Sequence, residues 1–326
     1  MRCAILVLLA GCGADDAASS DAPPSTGGCD AAAPWASAPA LDLGATQETA
    51  AVAIGDRIYV IGGFHVTAGI VGAVQVFDTA ACAWSRGPDL PKVVHHANVA
   101  AVDGTIYVLG SLDDPSFTAS GEAFAWNPAT DAAWSPRAAM PAGTERGSAV
   151  TGVVDGKVVL AGGFRGVSAV ADTSVYDPAL DAWSAGPALP EPRDHACGGV
   201  VGGKLYVAGG RRGSIGSTSP IVFELAGGAW TERAPMPTGR GGTACGVVAG
   251  RLIVAGGEGN PAEPSGVFPH VEAYDPAANA WTSLPEMPTP RHGLGAAAVG
   301  GRLYFPGGAN KQAFGAVATH EVLTPP

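Results

Sequence analysis

The sequence predicts an all-β fold of six repeated units, each of four short strands, and three observations predict it. Six β-rich apolar runs end in a small pair: IYVIGG, IYVLGS, VVLAGG, LYVAGG, LIVAGG and LYFPGG. Their first glycines are Gly62, Gly110, Gly162, Gly209, Gly256 and Gly307, a period of 47 to 52 residues. Six tryptophans keep the same step: Trp35, Trp84, Trp134, Trp183, Trp230 and Trp281. Composition agrees, because 48 Gly and 27 Pro with only 14% charged residues suit short strands joined by turns better than long solvated helices.

Each unit can be justified strand by strand. Small apolar runs such as HACGGVV and GLGAAAV suit an innermost strand a, where units crowd one axis. Asp-Gly or Gly-Gly between two apolar runs, as in DGTIYV, DGKVVL and GGKLYV, is a strong hairpin signal and joins a to b. Strand b is β-branched and aromatic, and its double glycine marks a turn or a close backbone approach. Strand c ends in FDTAACAW, WNPATDAAW, YDPALDAW or YDPAANAW, with turn residues before the tryptophan that opens strand d.

These motifs, the double glycine, the Tyr-Asp-Pro turn and the tryptophan ahead of LP-MP-R, resemble the kelch repeat, whose period is about 50. The resemblance runs from Cys29 to the C-terminus. Departures are Ser111 for a second glycine, Val159 for the usual tyrosine, and FELAGGAW without Asp-Pro in the fourth unit. The resemblance implies a six-bladed β-propeller, one blade per repeat. The last unit has strands a to c, expected at 293–299, 303–305 and 317–323, and no tryptophan after them. Trp35 has no strands before it. APWASAP is therefore expected to supply the missing strand and close the ring.

Residues 1–11 read as a signal peptide: Arg2 is a minimal positive region, and Ala4 to Ala10 is too short to span a bilayer. Leu9-Ala10-Gly11-Cys12 resembles a bacterial lipobox, which implies cleavage before Cys12 and its lipidation; plain secretion is the alternative. Residues 12–28 read as a flexible tether and 29–326 as the propeller. The protein is expected to be exported, lipid-anchored in the bacterial cell envelope, and monomeric. Cys29, Cys82, Cys197 and Cys245 remain for disulfides or as buried thiols. There is no CxxC and no zinc-like Cys/His spacing, so neither metal nor cofactor is expected. A net charge of −11 argues against nucleic acid, and against membrane contact other than through the lipid.

In a propeller blade the d–a and b–c connections share one face. They carry the varied segments FHVTAGIV, SLDDPSFT, FRGVSA, RRGSIGST, EGNPAEPSGVF and ANKQAF, and varied loops on a rigid scaffold are where binding residues sit. Nine of the 18 Lys and Arg fall there, among them Lys92 and Lys311. Arg146, Arg193, Arg240 and Arg291 share one register, sixteen residues before the double glycine, which marks them as structural and tying neighbouring blades. Two positions further on lie Glu48, His96, Ser148, His195, Gly242 and Gly293, a varied ring. The candidate contacts are Glu48, His96, Arg165, Asp194, His195, Arg211 and Arg212.

All six tyrosines are spent on repeat motifs, which leaves none for a copper-radical site of the galactose oxidase type. Exported six-bladed sialic acid epimerases are similar in architecture, but no motif carries catalytic residues over from them. The function expected is a non-catalytic binding module for a protein, peptide or envelope glycan. The alternative is a carbohydrate-active isomerase of acidic sugars, which would need a deep pocket with a titratable pair within hydrogen-bond reach.

Overall fold

Six four-stranded antiparallel sheets follow one another along the chain in a computed structural model that describes Cys29 and residues 34–326. The signal peptide, Cys12 and the tether lie outside the described residues. The first blade is Ala50–Ile54, Arg57–Ile61, Val74–Asp78 and Ala83–Arg86. The second is Val99–Val102, Thr105–Leu112, Ala119–Trp126 and Ser135–Arg137. The third is Val150–Val154, Lys157–Ala161, Thr173–Asp177 and Ala182–Ala185. The fourth is Cys197–Val201, Lys204–Ala208, Val222–Ala226 and Ala229–Arg233. The fifth is Ala244–Val248, Arg251–Ala255, Val271–Asp275 and Ala280–Leu284. The sixth takes Ala297–Val299, Arg302–Pro306 and His320–Leu323 from the C-terminus and Trp35–Ser37 from the N-terminus.

Trp35 pairs with Leu323 and Ser37 with Glu321, so the ring closes on its first strand as the unpaired tryptophan predicts. The sixth blade's strands a and c start later than expected. Gly293 has a left-handed backbone, and Val317 still belongs to the b–c loop, donating to Gly308 O at 2.8 Å.

The repeat markers are the joints between blades. Each strand-d indole donates to a carbonyl of the preceding blade: Trp84 to Pro39 (2.8 Å), Trp134 to Pro88 (2.8 Å), Trp183 to Ala138 (2.8 Å), Trp230 to Pro187 (2.7 Å), Trp281 to Ala234 (2.9 Å) and Trp35 to Pro285 (2.9 Å). The second glycine of each pair donates to the following blade, as Gly163 does to Arg193 O at 2.7 Å. Gly162 shows why no side chain fits: its φ is +66°, and a Cβ there would lie 2.6 Å from Arg193 O. Ser111 departs because the second blade's strand b runs on as strand to Leu112, and Asn98 Nδ2 serves the neighbouring carbonyl, Arg146 O, at 2.8 Å.

The cores lie between blades, built of strand b side chains such as Ile106, Leu160 and Leu252 and strand c side chains such as Phe77 and Val222, all 0% exposed. Disulfides join Cys29 to Cys82 and Cys197 to Cys245, with Cα separations of 5.9 and 5.7 Å. The second links the innermost strands of two neighbouring blades.

Candidate functional site

The varied ring is a real ring. Glu48, His96, Ser148, His195, Gly242 and Gly293 all adopt left-handed backbone, with φ of 54°, 51°, 56°, 51°, 66° and 60°. Five backbone hydrogen bonds of 2.5–3.1 Å run round them: His96 N to Glu48 O, Ser148 N to His96 O, Gly242 N to His195 O, Gly293 N to Gly242 O and Glu48 N to Gly293 O. Ser148 Oγ accepts from His195 N at 3.1 Å and completes the circle. A left-handed non-glycine residue costs about 1–2 kcal/mol, and such strain concentrates at functional sites. Gly242 and Gly293, in register with two histidines, are the sequence signal for this conformation.

The residue before each ring position pairs with the segment just after the strand-b glycine of its own blade, as in His95 with Leu112, Gly147 with Phe164, Asp194 with Arg211 and Gly241 with Glu258. These bridges pull six loops over the ring and enclose a pocket of about 400 Å³ on the axis. Its walls are Phe64, Phe117, Phe164, Phe314, Val167 and Ile215. The Phe64 and Phe117 rings sit 4.3 and 5.0 Å from the His95 ring.

Its floor is polar and tightly bonded. His195 Nε2 lies 2.8 Å from His96 Nε2, and His96 Nε2 lies 2.9 Å from Glu48 Oε2. His195 Nδ1 meets Asp194 Oδ1 at 2.5 Å. Asp194 also accepts from Arg211 Nε at 3.1 Å and Gly213 N at 2.7 Å. Arg211 reaches on to Glu258 at 2.5 Å. His292 Nδ1 stands 3.8 Å from Glu48 and 3.7 Å from Glu258.

Burial shapes the charges. Desolvation, then the Arg211 charge, pushes His195 down to about 4. Desolvation and the neighbouring His96 push His95 down to about 4. Burial alone would raise Asp194, but hydrogen bonding and charge from His195 and Arg211 hold it at about 2. Glu48 is likewise held far below the usual carboxylate range: burial opposes ionisation, and His96, His292 and His195 outweigh it. The floor thus sets three carboxylates, Glu48, Asp194 and Glu258, against one guanidinium.

Of the expected contacts, Glu48, His96, His195 and Arg211 line the pocket and Asp194 braces them from beneath. Arg165 and Arg212 do not line it; they pair with Asp172 and Glu191, both at 2.6 Å. The four register arginines are at most 1% exposed. Arg146 and Arg240 keep their guanidinium groups within their own blades, on Gly162 O (2.6 Å) and Gly256 O (2.7 Å). It is the Arg193, Arg240 and Arg291 backbone carbonyls that reach the preceding blade. The positive charge that the sequence places on this face is therefore largely consumed in architecture. What sequence reasoning missed as a wall is the phenylalanine set: Phe64 and Phe164 share one register directly after their double glycines, whereas Phe117 and Phe314 fall at other places in their loops.

A Kelch motif family model matches residues 46–91, 145–190, 192–237 and 239–288, more than half of the chain. Kelch-like protein terF of Aspergillus terreus is 35% identical over 312 residues, 89% of this chain and 66% of its own length. The F-box/kelch-repeat protein SKIP30 of Arabidopsis thaliana is 33% identical over 136 residues, 38% of each. The chain thus spans 66% or less of the length of these curated relatives. A solved structure described as "Structure of YjhT" superposes with a TM-score of 0.73 at 18% identity, covering 87% of this chain and 95% of that one, a likeness of fold alone. With its motifs matched and its ring of blades built on them, the chain belongs to the Kelch-repeat family and is an all-β propeller.

Proposed function

We propose that this propeller binds a small molecule in its axial pocket, and that it works at the bacterial cell envelope, held there by a lipid on Cys12. The observation that carries the reading is the pocket: about 400 Å³, phenylalanine-walled, with its polar groups gathered on the floor. That volume and lining are those of a small-ligand site, whereas a protein or peptide partner would use the broader rim. The ligand class that fits has an apolar or aromatic body and a neutral hydrogen-bonding head. An acidic sugar fits poorly, because its carboxylate would meet three floor carboxylates while Arg211 is already spent between two of them. Anchoring is supported by the lipobox-like LAGC and the polar tether behind it.

A second reading, an enzyme acting on the same ligand class, is favoured by the histidine–carboxylate pairs on the floor, His195 with Asp194 and His96 with Glu48. The test is thermal shift of the full chain against two panels at equal concentration: neutral aromatic or alicyclic alcohols and ketones, and acidic sugars. A ligand at one hundred times its Kd stabilises by about 2.7 kcal/mol. Neutral compounds should stabilise the wild type and lose that effect in Phe164→Ala. Stabilisation by acidic sugars alone, or stabilisation indifferent to Phe164→Ala, would overturn the proposal. NMR of each stabilising compound separates a binder from an enzyme.

A further inference from the structure

The floor of the same pocket poses a problem of proton counting. His95 Nε2 lies 3.0 Å from the carbonyl of Asp114, which can only accept, so Nε2 carries the His95 proton. His95 Nδ1 is then a lone pair, and it faces His96 Nδ1 at 2.5 Å, so His96 carries its proton on Nδ1. In the neutral His96 ring, Nε2 is then the lone pair and points into the ring of residues. His195 donates from Nδ1 to the Asp194 carboxylate, which leaves its Nε2 as a lone pair as well. Glu48 adds carboxylate oxygens. Three groups with electron pairs to offer a metal therefore converge, the two Nε2 atoms 2.8 Å apart and Glu48 Oε2 2.9 Å from one of them. All three ligand atoms fall within 4.8 Å of one another.

An independent observation points the same way. His292 is 0% exposed, and its Nε2 donates to Lys311 O at 3.0 Å. Its Nδ1 has no hydrogen-bond partner and stands beside Glu48 and Glu258. The floor thus gathers several buried nitrogen and oxygen atoms able to ligate a cation.

We propose that Glu48, His96 and His195 bind a divalent transition-metal ion at the floor of the axial pocket, with Asp194 and His95 as the outer partners that set the two imidazole tautomers. Two imidazoles and one carboxylate with further positions open is a set such ions accept. Ligand atoms at about 2.1 Å from a metal and about 90° apart are separated by about 3.0 Å, so the two short edges need to open only slightly. Bonding of each ligating histidine through its other nitrogen to a carboxylate or a fixed acceptor is the usual outer shell of a metal site. The three groups come from three blades and sit on the hydrogen-bonded ring, which holds them without a local sequence motif. The open positions face the phenylalanine-walled space, where a ligand's neutral oxygen or nitrogen could reach the ion. The inference deepens the small-molecule reading and concerns the same pocket.

The test uses the full chain, stripped with a chelator, dialysed, and titrated with Co2+ and separately with Zn2+ in the absence of any organic ligand. One Co2+ per chain should bind, with a saturable ligand-field absorption, and Zn2+ should displace it. His96→Gly and His195→Gly should each abolish the signal; glycine already occupies two ring positions, so the ring backbone survives. Glu48→Gln should weaken binding, and Asp194→Asn should weaken it about 10- to 100-fold. His65→Ala, outside the three, should leave it unchanged. Circular dichroism confirms that each variant is folded. No uptake of either metal at millimolar concentration, or uptake that survives both glycine variants, would overturn the proposal. Because no organic ligand is present, failure here leaves the thermal-shift test of the pocket standing, and the converse holds.

Discussion

The claim that the register arginines are architecture can be put to a quantitative test at Arg240. Its side chain is 0% exposed and 2.5 Å from Glu272, itself 3% exposed. The guanidinium also donates to Gly256 O (2.7 Å), Thr238 O (2.9 Å) and Val254 O (3.2 Å). Arg146 makes the equivalent contacts in the third blade, to Gly162 O (2.6 Å), Thr144 O (2.8 Å) and Leu160 O (3.1 Å), but meets the Ser174 hydroxyl where Arg240 meets a carboxylate. Replacing each arginine with methionine removes the same kind of carbonyl contact, so the difference between the two variants isolates the orphaned Glu272. Breaking a buried ion pair costs about 3–5 kcal/mol, whereas leaving neutral groups unpaired costs about 1–3 kcal/mol. Arg240→Met should therefore be the more damaging by about 2 kcal/mol. The double variant Arg240→Met/Glu272→Leu should recover a similar amount, because the stranded carboxylate is gone. Urea unfolding followed by tryptophan fluorescence reads all three. Equal losses in the two single variants, together with simple additivity in the double, would refute the account.

Two further outcomes are expected. His320 is buried against Phe77 and Trp84, and desolvation is the main cause of its fall from 6.5 to about 3, with Arg291 adding to it and its bond to Pro39 O opposing. Its folded pKa lies below its unfolded one, so protons favour the unfolded chain: stability is full above about pH 6.5 and falls by up to about 1.4 kcal/mol per pH unit down to about pH 3. His320→Gln should flatten that acid limb relative to wild type, and an unchanged slope between pH 6 and 4 would contradict it. Cys12→Ser should abolish incorporation of labelled palmitate in a bacterial host and release the chain from the membrane fraction; labelling that persists would dismiss the anchor.

Much of the architecture was legible because a propeller repeats its joints. Each blade needs one indole for the preceding blade and a side-chain-free turn against the following one, so tryptophan and the double glycine recur at the period of the fold. The missing tryptophan after the last blade even announced the closure through Trp35. The candidate site was half legible. The ring of Glu48, His96 and His195 stood out as the place where equivalent positions differ, and Asp194 and Arg211 came with it. The charge left at the pocket was not legible: the four register arginines are buried, as their shared register implies, but nothing local in the sequence shows that Arg165 and Arg212 pair outside the pocket and leave Arg211 on its floor.

What the sequence alone determined is the set of local and periodic facts: strand order, blade number, ring closure, and which register varies. What only the tertiary structure decided is what meets at the axis. Glu48, His96 and His195 are 48 and 99 residues apart, so no short spacing motif joins them. They meet because six left-handed residues are hydrogen-bonded into one circle, and the phenylalanines above them meet because six unlike loops bend over the same point. Contacts of this kind follow from closing the ring, and closure is a property of the whole chain.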